Sequence, residues 1–216
     1  MKVHEYKGRE ITVTYDVSRC IHAKECMHGA PTVFNPANKP WISADGNSPE
    51  RIAEVIVRCP TGALHYQPAD TSLAELPEPS NTVRVRPDGP LYVRGNVVIV
   101  TEAGECVASE TRVAFCRCGA SKNKPFCDNS HFASAFTDPA LAKPSANAQN
   151  EMVTSGKLQV IPTSNGPLHL QGQVTIRNAA GIVIFEGAET WLCRCGSSAD
   201  KPFCDGSHGR NGFHSE

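Results

Sequence analysis

The 216-residue chain has no apolar run near the roughly 20 residues that a membrane-spanning helix needs. Its opening residues, Met1-Lys2-Val3-His4-Glu5-Tyr6, lack the apolar stretch of a secretory signal. The expectation is a soluble, cytoplasmic protein that engages no membrane. Aromatic residues are scarce at 6% beside an ordinary hydrophobic content of 40%, which predicts small cores rather than one large aromatic-rich core. The formal net charge is only −1, so no overall basic field attracts nucleic acid. There is no phosphate-cradling G-x-x-x-x-G-K, no G-x-G-x-x-G and no Ser/His/Asp constellation, hence no positive sign of a substrate-transforming site.

What the chain does have is cysteine, ten in all. Without a leader, and with the cysteines grouped beside histidines, thiolate ligands in a reducing compartment are expected rather than disulfides. Six of the ten fall in two near-identical segments. One carries Cys116, Cys118, Cys127 and His131; the other carries Cys193, Cys195, Cys204 and His208. Each has the order C-x-C, eight residues, C, three residues, H.

The repetition extends outside these segments. Gly89-Pro90-Leu91-Tyr92-Val93-Arg94-Gly95 matches Gly166-Pro167-Leu168-His169-Leu170-Gln171-Gly172, and Ala103-Gly104 matches Ala180-Gly181, at the offset of 77 that maps Cys116 onto Cys193. Before Gly89 the offset is 75, so the second copy has two extra residues in its first turn. Each copy reads as three or four short strands, an irregular loop and a helical turn. Alternation at Leu91/Val93 and Leu168/Leu170 supplies a buried face. A copy of about 50 residues is marginal alone, so the β portions are expected to pack on each other about a pseudo-two-fold axis.

The region before the repeats reads as a small α+β unit. Ile11 to Tyr15 alternates as a strand, and Ser48-Pro49-Glu50 opens a helix whose apolar face runs through Ile52, Val55, Ile56 and Cys59. Pro60 stops it, and Ala63 to Tyr66 returns as a strand. The domain organisation expected is 1–70, a linker at 71–81, the first copy at 82–132, a linker at 133–156 with a short helix around Pro139 to Lys143, the second copy at 157–210, and a tail at 211–216. The second linker is rich in Ala, Pro, Ser and Asn and is expected to contribute little core.

Three thiolates and an imidazole suit zinc or an iron–sulfur cluster. Zinc knuckles favour C-x2–4-C, whereas C-x-C on an extended segment suits one iron of a binuclear cluster, with the third Cys and the His gripping the other. Asp128 and Asp205 are cap-type residues for the short helix that follows.

These residues resemble the CDGSH iron–sulfur domain (NEET-type) family, whose name the second copy spells at Cys204-Asp205-Gly206-Ser207-His208. The resemblance covers roughly Thr82 to His208. It implies one [2Fe–2S] cluster on Cys116, Cys118, Cys127 and His131 and a second on Cys193, Cys195, Cys204 and His208. It also implies an α+β fold in which the tandem copies mimic the family's intertwined homodimer, with a β-cap and a cluster-binding layer in one monomeric chain. Asn129 replaces the motif's Gly, which a left-handed backbone tolerates. No membrane anchor is expected, unlike in some members.

Cys20, Cys26 and Cys59 remain. The ferredoxin pattern C-x2-C-x2-C…C-P would place a further cysteine at position 23, which is Ala. Residues 9 to 67 resemble the divergent single-cluster ferredoxin family. Three cysteines fit a [3Fe–4S] cluster directly; a [4Fe–4S] cluster needs a fourth ligand such as His22 or solvent; a cluster-free relic would use the cysteines for packing. Cys106 aligns with Val183 and is expected to be a buried core thiol. Arg117/Arg194 and Lys124/Lys201 are expected to form a solvated rim, or a basic surface that steers acidic redox partners. His4, His28, His65, His169 and His214 lack ligand spacing and are expected at the surface or in packing.

The leading functional expectation is a non-enzymatic electron carrier with His-linked protonation, working with a redox partner protein. A donor of [2Fe–2S] clusters to an apo-acceptor, or a pH or redox sensor, is the second. A component that reduces a small molecule at an exposed cluster is the third.

Overall fold

The computed structural model describes residues 3–144 and 156–215. The chain divides into two compact units, Met1–Leu76 and Pro77–Glu216.

In the first unit, strands β1 (Val3–Lys7), β2 (Ile11–Asp16) and β3 (Leu64–Pro68) form an antiparallel sheet in the order β1-β2-β3. Between β2 and β3 lie the short helix α1 (Glu25–Gly29) and helix α2 (Pro49–Ile56). The Ser48 hydroxyl accepts from Arg51 N at 3.4 Å, so α2 starts where its cap and proline dictate. Ile52, Val55 and Ile56 are buried in one core with Val13, Phe34, Ile42 and Leu64. The helix ends earlier than the apolar periodicity predicts. The backbone tightens after Ile56: Arg58 N donates to Val55 O and Cys59 N to Ile56 O, at 3.1 and 2.9 Å. Cys59 therefore sits in a turn beyond α2, half-buried, rather than on its core-facing stripe. Val3–Lys7, to which the sequence pattern assigned no element, form β1.

The second unit contains β4 (Thr82–Val85), β5 (Leu91–Val100), β6 (Cys106–Phe115), the single helical turn α3 (Ser130–Ala133), β7 (Leu158–Pro162), β8 (Leu168–Arg177) and β9 (Val183–Leu192). Each copy supplies three strands, and all six join one sheet. β5–β6 and β8–β9 are antiparallel hairpins. The opening strand of each copy pairs twice. β4 lies antiparallel to its own β5 and parallel to β8; β7 lies antiparallel to its own β8 and parallel to β5. These four strands thereby close a circuit of pairings, which leaves the repeat no short edge strand to protect.

The circuit requires β5 and β8 to bend. Register shifts fall between Arg94 and Val97 and between Gln171 and Val174, at Gly95 (φ 131°) and Gly172 (φ 119°). A Cβ on Gly95 would meet Asn81 Oδ1 at 2.2 Å, and one on Gly172 would meet the Lys157 carbonyl at 2.4 Å. Only glycine fits both the angle and the close approach. Asn81, wholly buried, secures the junction. Its Nδ2 donates to the carbonyls of Gly156 and Gln173 at 2.9 and 3.0 Å, and its Oδ1 accepts from Asn96 N at 2.9 Å.

Val83, Leu91, Val93 and Phe115 of one copy share a core with Leu158, Leu168, Leu170 and Leu192 of the other. Residues 138–142, expected to be a spacer with a short helix, are neither. No helix forms at 139–144, because Ala140 adopts φ 55°. Ala140 is instead buried in the shared core; its carbonyl accepts from Ala179 N at 2.8 Å, and Ala142 O accepts from Asn178 Nδ2 at 3.1 Å. The rest of that expected linker, 145–155, lies outside the described residues. No helix among the described residues is long and apolar enough to cross a membrane.

Candidate metal centres

The strands β6 and β9 end where each C-x-C begins. The following loop turns back on them. Cys116 N donates to Pro125 O at 2.8 Å and Cys127 N to Ala114 O at 2.9 Å; Cys193 N donates to Pro202 O at 2.8 Å and Cys204 N to Trp191 O at 2.9 Å. This pairing brings the third cysteine alongside the first. The loop is held by its small polar residues. The Ser121 hydroxyl donates to Phe126 O at 2.7 Å and accepts from Asn123 N at 3.0 Å; Ser198 repeats both bonds with Phe203 O and Asp200 N at the same distances. Asp128 accepts from Lys122 N and Ser130 N, and Asp205 from Ala199 N and Ser207 N, at 2.8 to 3.0 Å. These backbone donors hold the Asp205 carboxyl below its ordinary pKa. Asn129 takes φ 72°, matching φ 81° at Gly206, so the one departure from the motif keeps the motif's backbone.

The candidate ligand atoms meet in pairs. Cys116 Sγ and Cys118 Sγ are 3.7 Å apart, as are Cys193 Sγ and Cys195 Sγ. Cys127 Sγ lies 3.6 Å from His131 Nδ1, and Cys204 Sγ 3.4 Å from His208 Nδ1. With metal–sulfur bonds of about 2.3 Å and metal–nitrogen bonds of about 2.0 Å, a tetrahedral edge spans about 3.8 Å between two sulfurs and about 3.5 Å between sulfur and nitrogen. Every pair therefore has the bite of two ligands on one metal. Among the described residues, however, no three His, Cys, Asp or Glu side chains converge where one ion would sit.

Burial raises the Cys127 thiol to about 11 and also pushes up Cys193 and Cys204. Cys116 is pushed up by its hydrogen bond with Cys118 and by burial, while the same bond draws Cys118 down to about 6. Burial lowers the His131 pKa, and the charge of Arg117 adds to the effect against that of Asp128. The two sites differ in cover. His131 is buried, with its ring 4.2 Å from the tilted ring of Phe132, whereas His208 is half-buried and is followed by Gly209.

The two cluster loops also touch each other. Cys118 and Cys195 form an antiparallel bridge, and a Cβ on Gly119 or Gly196 would stand 2.7 Å from the opposite cysteine's carbonyl. The positive φ at both glycines, 81° and 80°, completes the requirement.

Two sequence expectations fail here. Arg117 and Arg194 do not form a rim: they are 1% and 2% exposed. The guanidinium of each is turned inward to carbonyl acceptors, Gly89 and Arg86 for one, Gly166 and Thr163 for the other. An arginine in the middle of C-x-C points away from both sulfurs because extended side chains alternate. Cys106 is not a core thiol either. It is exposed, with its Sγ 3.9 Å from Ser109 Oγ, although its counterpart Val183 is buried. The hairpin tip leading to Val183 is covered by residues 140–142, through the bonds to Asn178 and Ala179.

In the first unit, Cys20, Cys26 and Cys59 line one cavity of about 400 Å³ together with Tyr15, His22 and Trp41. His22 Nδ1 lies 4.0 Å from Cys20 Sγ, on a backbone with φ 54°. Burial, and then the neighbouring Cys59, push the Cys26 thiol up to about 11. Tyr15 is shifted upward too, by burial and by its hydrogen bond to Cys20. Ala23, at the position of the missing cysteine, lines the same cavity.

Comparison with known proteins bears on both units. Residues 6–69 match the family described as divergent 4Fe-4S mono-cluster, and residues 88–132 and 165–209 each match the iron-binding zinc finger of CDGSH type. The chain is also 37% identical over 62 residues to a protein of Escherichia coli K12 named uncharacterized protein YjdI; the match covers 29% of this chain and 82% of that one. The protein of the same name from Escherichia coli O157:H7 matches equally. No solved structure matches the chain. Fold, donor sets and matches together define an iron–sulfur protein. The chain belongs to the CDGSH iron-binding family in tandem form, with a divergent 4Fe-4S mono-cluster domain at its N-terminus.

Proposed function

We propose that the second unit holds two [2Fe–2S] clusters, on Cys116, Cys118, Cys127 and His131 and on Cys193, Cys195, Cys204 and His208, and that the chain carries single electrons to or from a partner protein. The observation that carries this reading is the pairwise bite. Four ligands arranged as two tetrahedral edges, without a common centre, suit two metals better than one zinc. When bound, such a cluster supplies a one-electron couple at neutral pH. His131 and His208 turn Nδ1 toward the paired cysteine and leave Nε2 to hold a proton. Added negative charge nearby favours that proton, so the reduction potential is expected to fall as pH rises.

The shared core, the doubly paired opening strands and the bridge between the loops support reading the second unit as a pseudo-two-fold intramolecular dimer, with a β-cap above a cluster layer. The cavity bounded by Cys20, Cys26 and Cys59 supports a third, cubane-type cluster. Its fourth corner falls to His22 or solvent in a [4Fe–4S] form and is absent in a [3Fe–4S] form. A second function, donation of [2Fe–2S] to an apo-acceptor, draws support from the accessible His208. Mixing with an apo-ferredoxin separates the two: cluster transfer at neutral pH marks a donor, and its absence with retained electron exchange marks a carrier.

A further inference from the structure

The repeat continues past the last ligand of each copy. At the offset of 77, Phe136 and Asp138 match Phe213 and Ser215. The strand registers, Val85 opposite Leu91 and Pro162 opposite Leu168, carry the same offset back past Gly89, so the second copy has no extra residues in its first turn and Asp88 matches Asn165. The structure superposes their roles. Arg117 lies 5.0 Å over the Phe136 ring and Arg194 lies 5.3 Å over Phe213. Asp138 N donates to Asp88 Oδ1 at 2.7 Å, and Ser215 N donates to Asn165 Oδ1 at 2.9 Å. Asp88 N and Asn165 N donate back, to Asp138 O and Ser215 Oγ. The frame around each arginine is thus the same in shape and different in charge.

In the first copy, Arg117 Nη1 is paired with the Asp138 carboxylate, and Asp88 adds a second negative charge nearby. In the second copy, neutral Ser215 and Asn165 stand at those places. Among the described residues Arg194 has carbonyl acceptors and no carboxylate within ion-pairing distance; the Glu102 charge acts on it from further off. Guanidinium stays charged even when buried. Each arginine is the middle residue of a C-x-C pair, Arg117 between Cys116 and Cys118 and Arg194 between Cys193 and Cys195, and the two loops meet at Cys118 and Cys195.

We propose that the two His-ligated sites are electrostatically unequal. Arg117 is neutralised by Asp138 while Arg194, among the described residues, has no carboxylate partner, and the two sites therefore do not fill together: one accepts the first electron from a one-electron donor, one ferric iron there becoming ferrous. This rests on the [2Fe–2S] reading above. A net positive charge in a low-dielectric interior favours the more negative, reduced state. Without that asymmetry, two sites on matching backbone would fill together. With it, electrons entering the unit have a preferred first residence, and Arg194 and Asp138 are positioning residues for that choice.

The test is an EPR-monitored redox titration of the full chain, with iron and acid-labile sulfide measured on the same samples. The [2Fe–2S] signals of wild type, separate from that of the N-terminal site, are expected to show two midpoints. Their separation should correspond to a ratio of reduced sites on the order of tenfold, or about 59 mV for one electron. Asp138→Asn keeps an oxygen for the Ala140 N–H and removes the charge; it should raise the lower midpoint and leave the upper one in place. The double variant Asn165→Asp/Ser215→Asp, at an exposed and a half-buried position, should lower the upper midpoint and narrow the gap. One shared midpoint in wild type overturns the proposal, as does an upper midpoint unmoved by the double variant at full iron loading. Absence of any [2Fe–2S] signal overturns the cluster reading itself and this inference with it.

Discussion

Asn81 is the side chain on which the crossing of the two copies most visibly depends, and its replacement by Leu can be worked through. Asn81→Leu deletes two donor bonds and one acceptor bond at a wholly buried position. The Gly156 and Gln173 carbonyls and the Asn96 N–H are left behind. Leaving a buried partner unsatisfied costs about 1–3 kcal/mol. Taking the low end for each, since relaxation or water recovers part of the loss, the sum is about 3 kcal/mol. For a unit of this size 1 kcal/mol moves Tm by about 2–4 °C, so Tm should fall by about 6–12 °C. Circular dichroism melts of wild type and variant, matched in iron content and scan rate, would measure it. Asn81→Asp keeps the acceptor for Asn96 N–H but sets a carboxylate oxygen against the Gly156 and Gln173 carbonyls, so it should not restore the loss. A drop of less than about 2 °C for the Leu variant at equal loading would refute the reasoning, because a junction that loses three bonds without consequence is not holding the strands.

Other expectations follow from single groups. In metal-free protein the Cys118 thiol, drawn down to about 6 by its bond with Cys116, is ionised above that pH, so alkylation there should level off above about pH 7. Cys127, raised to about 11, should react more slowly and gain about tenfold per pH unit until that pH; peptide mass spectrometry against pH reads both, and equal profiles would contradict the pairing. Gly196→Val forces a Cβ to within 2.7 Å of the Cys118 carbonyl, so it should lower iron loading at both sites, not only its own. Gly206→Ala, with nothing within 4 Å, should cost only the backbone strain of about 1–2 kcal/mol and keep both sites loaded. His131→Cys or His208→Cys should keep a cluster and abolish acid lability and the pH dependence of potential at that site; acid release unchanged from wild type would remove the imidazole from the mechanism.

Motif spacing named the eight Cys and His side chains that the structure brings together in pairs, because their order is a local property and each loop folds back on its own strand. The start of α2 was readable for the same reason: Ser48 and Pro49 act within one turn. Its end was not, since the apolar stripe to Cys59 persists after the backbone has tightened. Burial of Arg117 and Arg194 was hidden because charge alone suggests solvent, and the carbonyls that receive them lie 28 and 31 residues earlier in the chain. The same non-local logic hid the seat of residues 138–142, whose Ala and Pro composition resembles a spacer, and the exposure of Cys106. A carboxylate 21 residues after Arg117, with a serine in the matching place, becomes meaningful only once the repeat is seen to run through Phe136 and Phe213.

The central claim is that each 3Cys–1His set holds two irons rather than one zinc. Iron, zinc and acid-labile sulfide, quantified on one sample of the full chain together with its dithionite-reduced EPR spectrum, test it directly. Two [2Fe–2S] clusters and one cubane-type cluster predict about seven or eight irons per chain, about eight sulfides in either case, and S = 1/2 signals from the reduced His-ligated sites. About two zincs per chain, with sulfide accounted for by the N-terminal site alone, would contradict it.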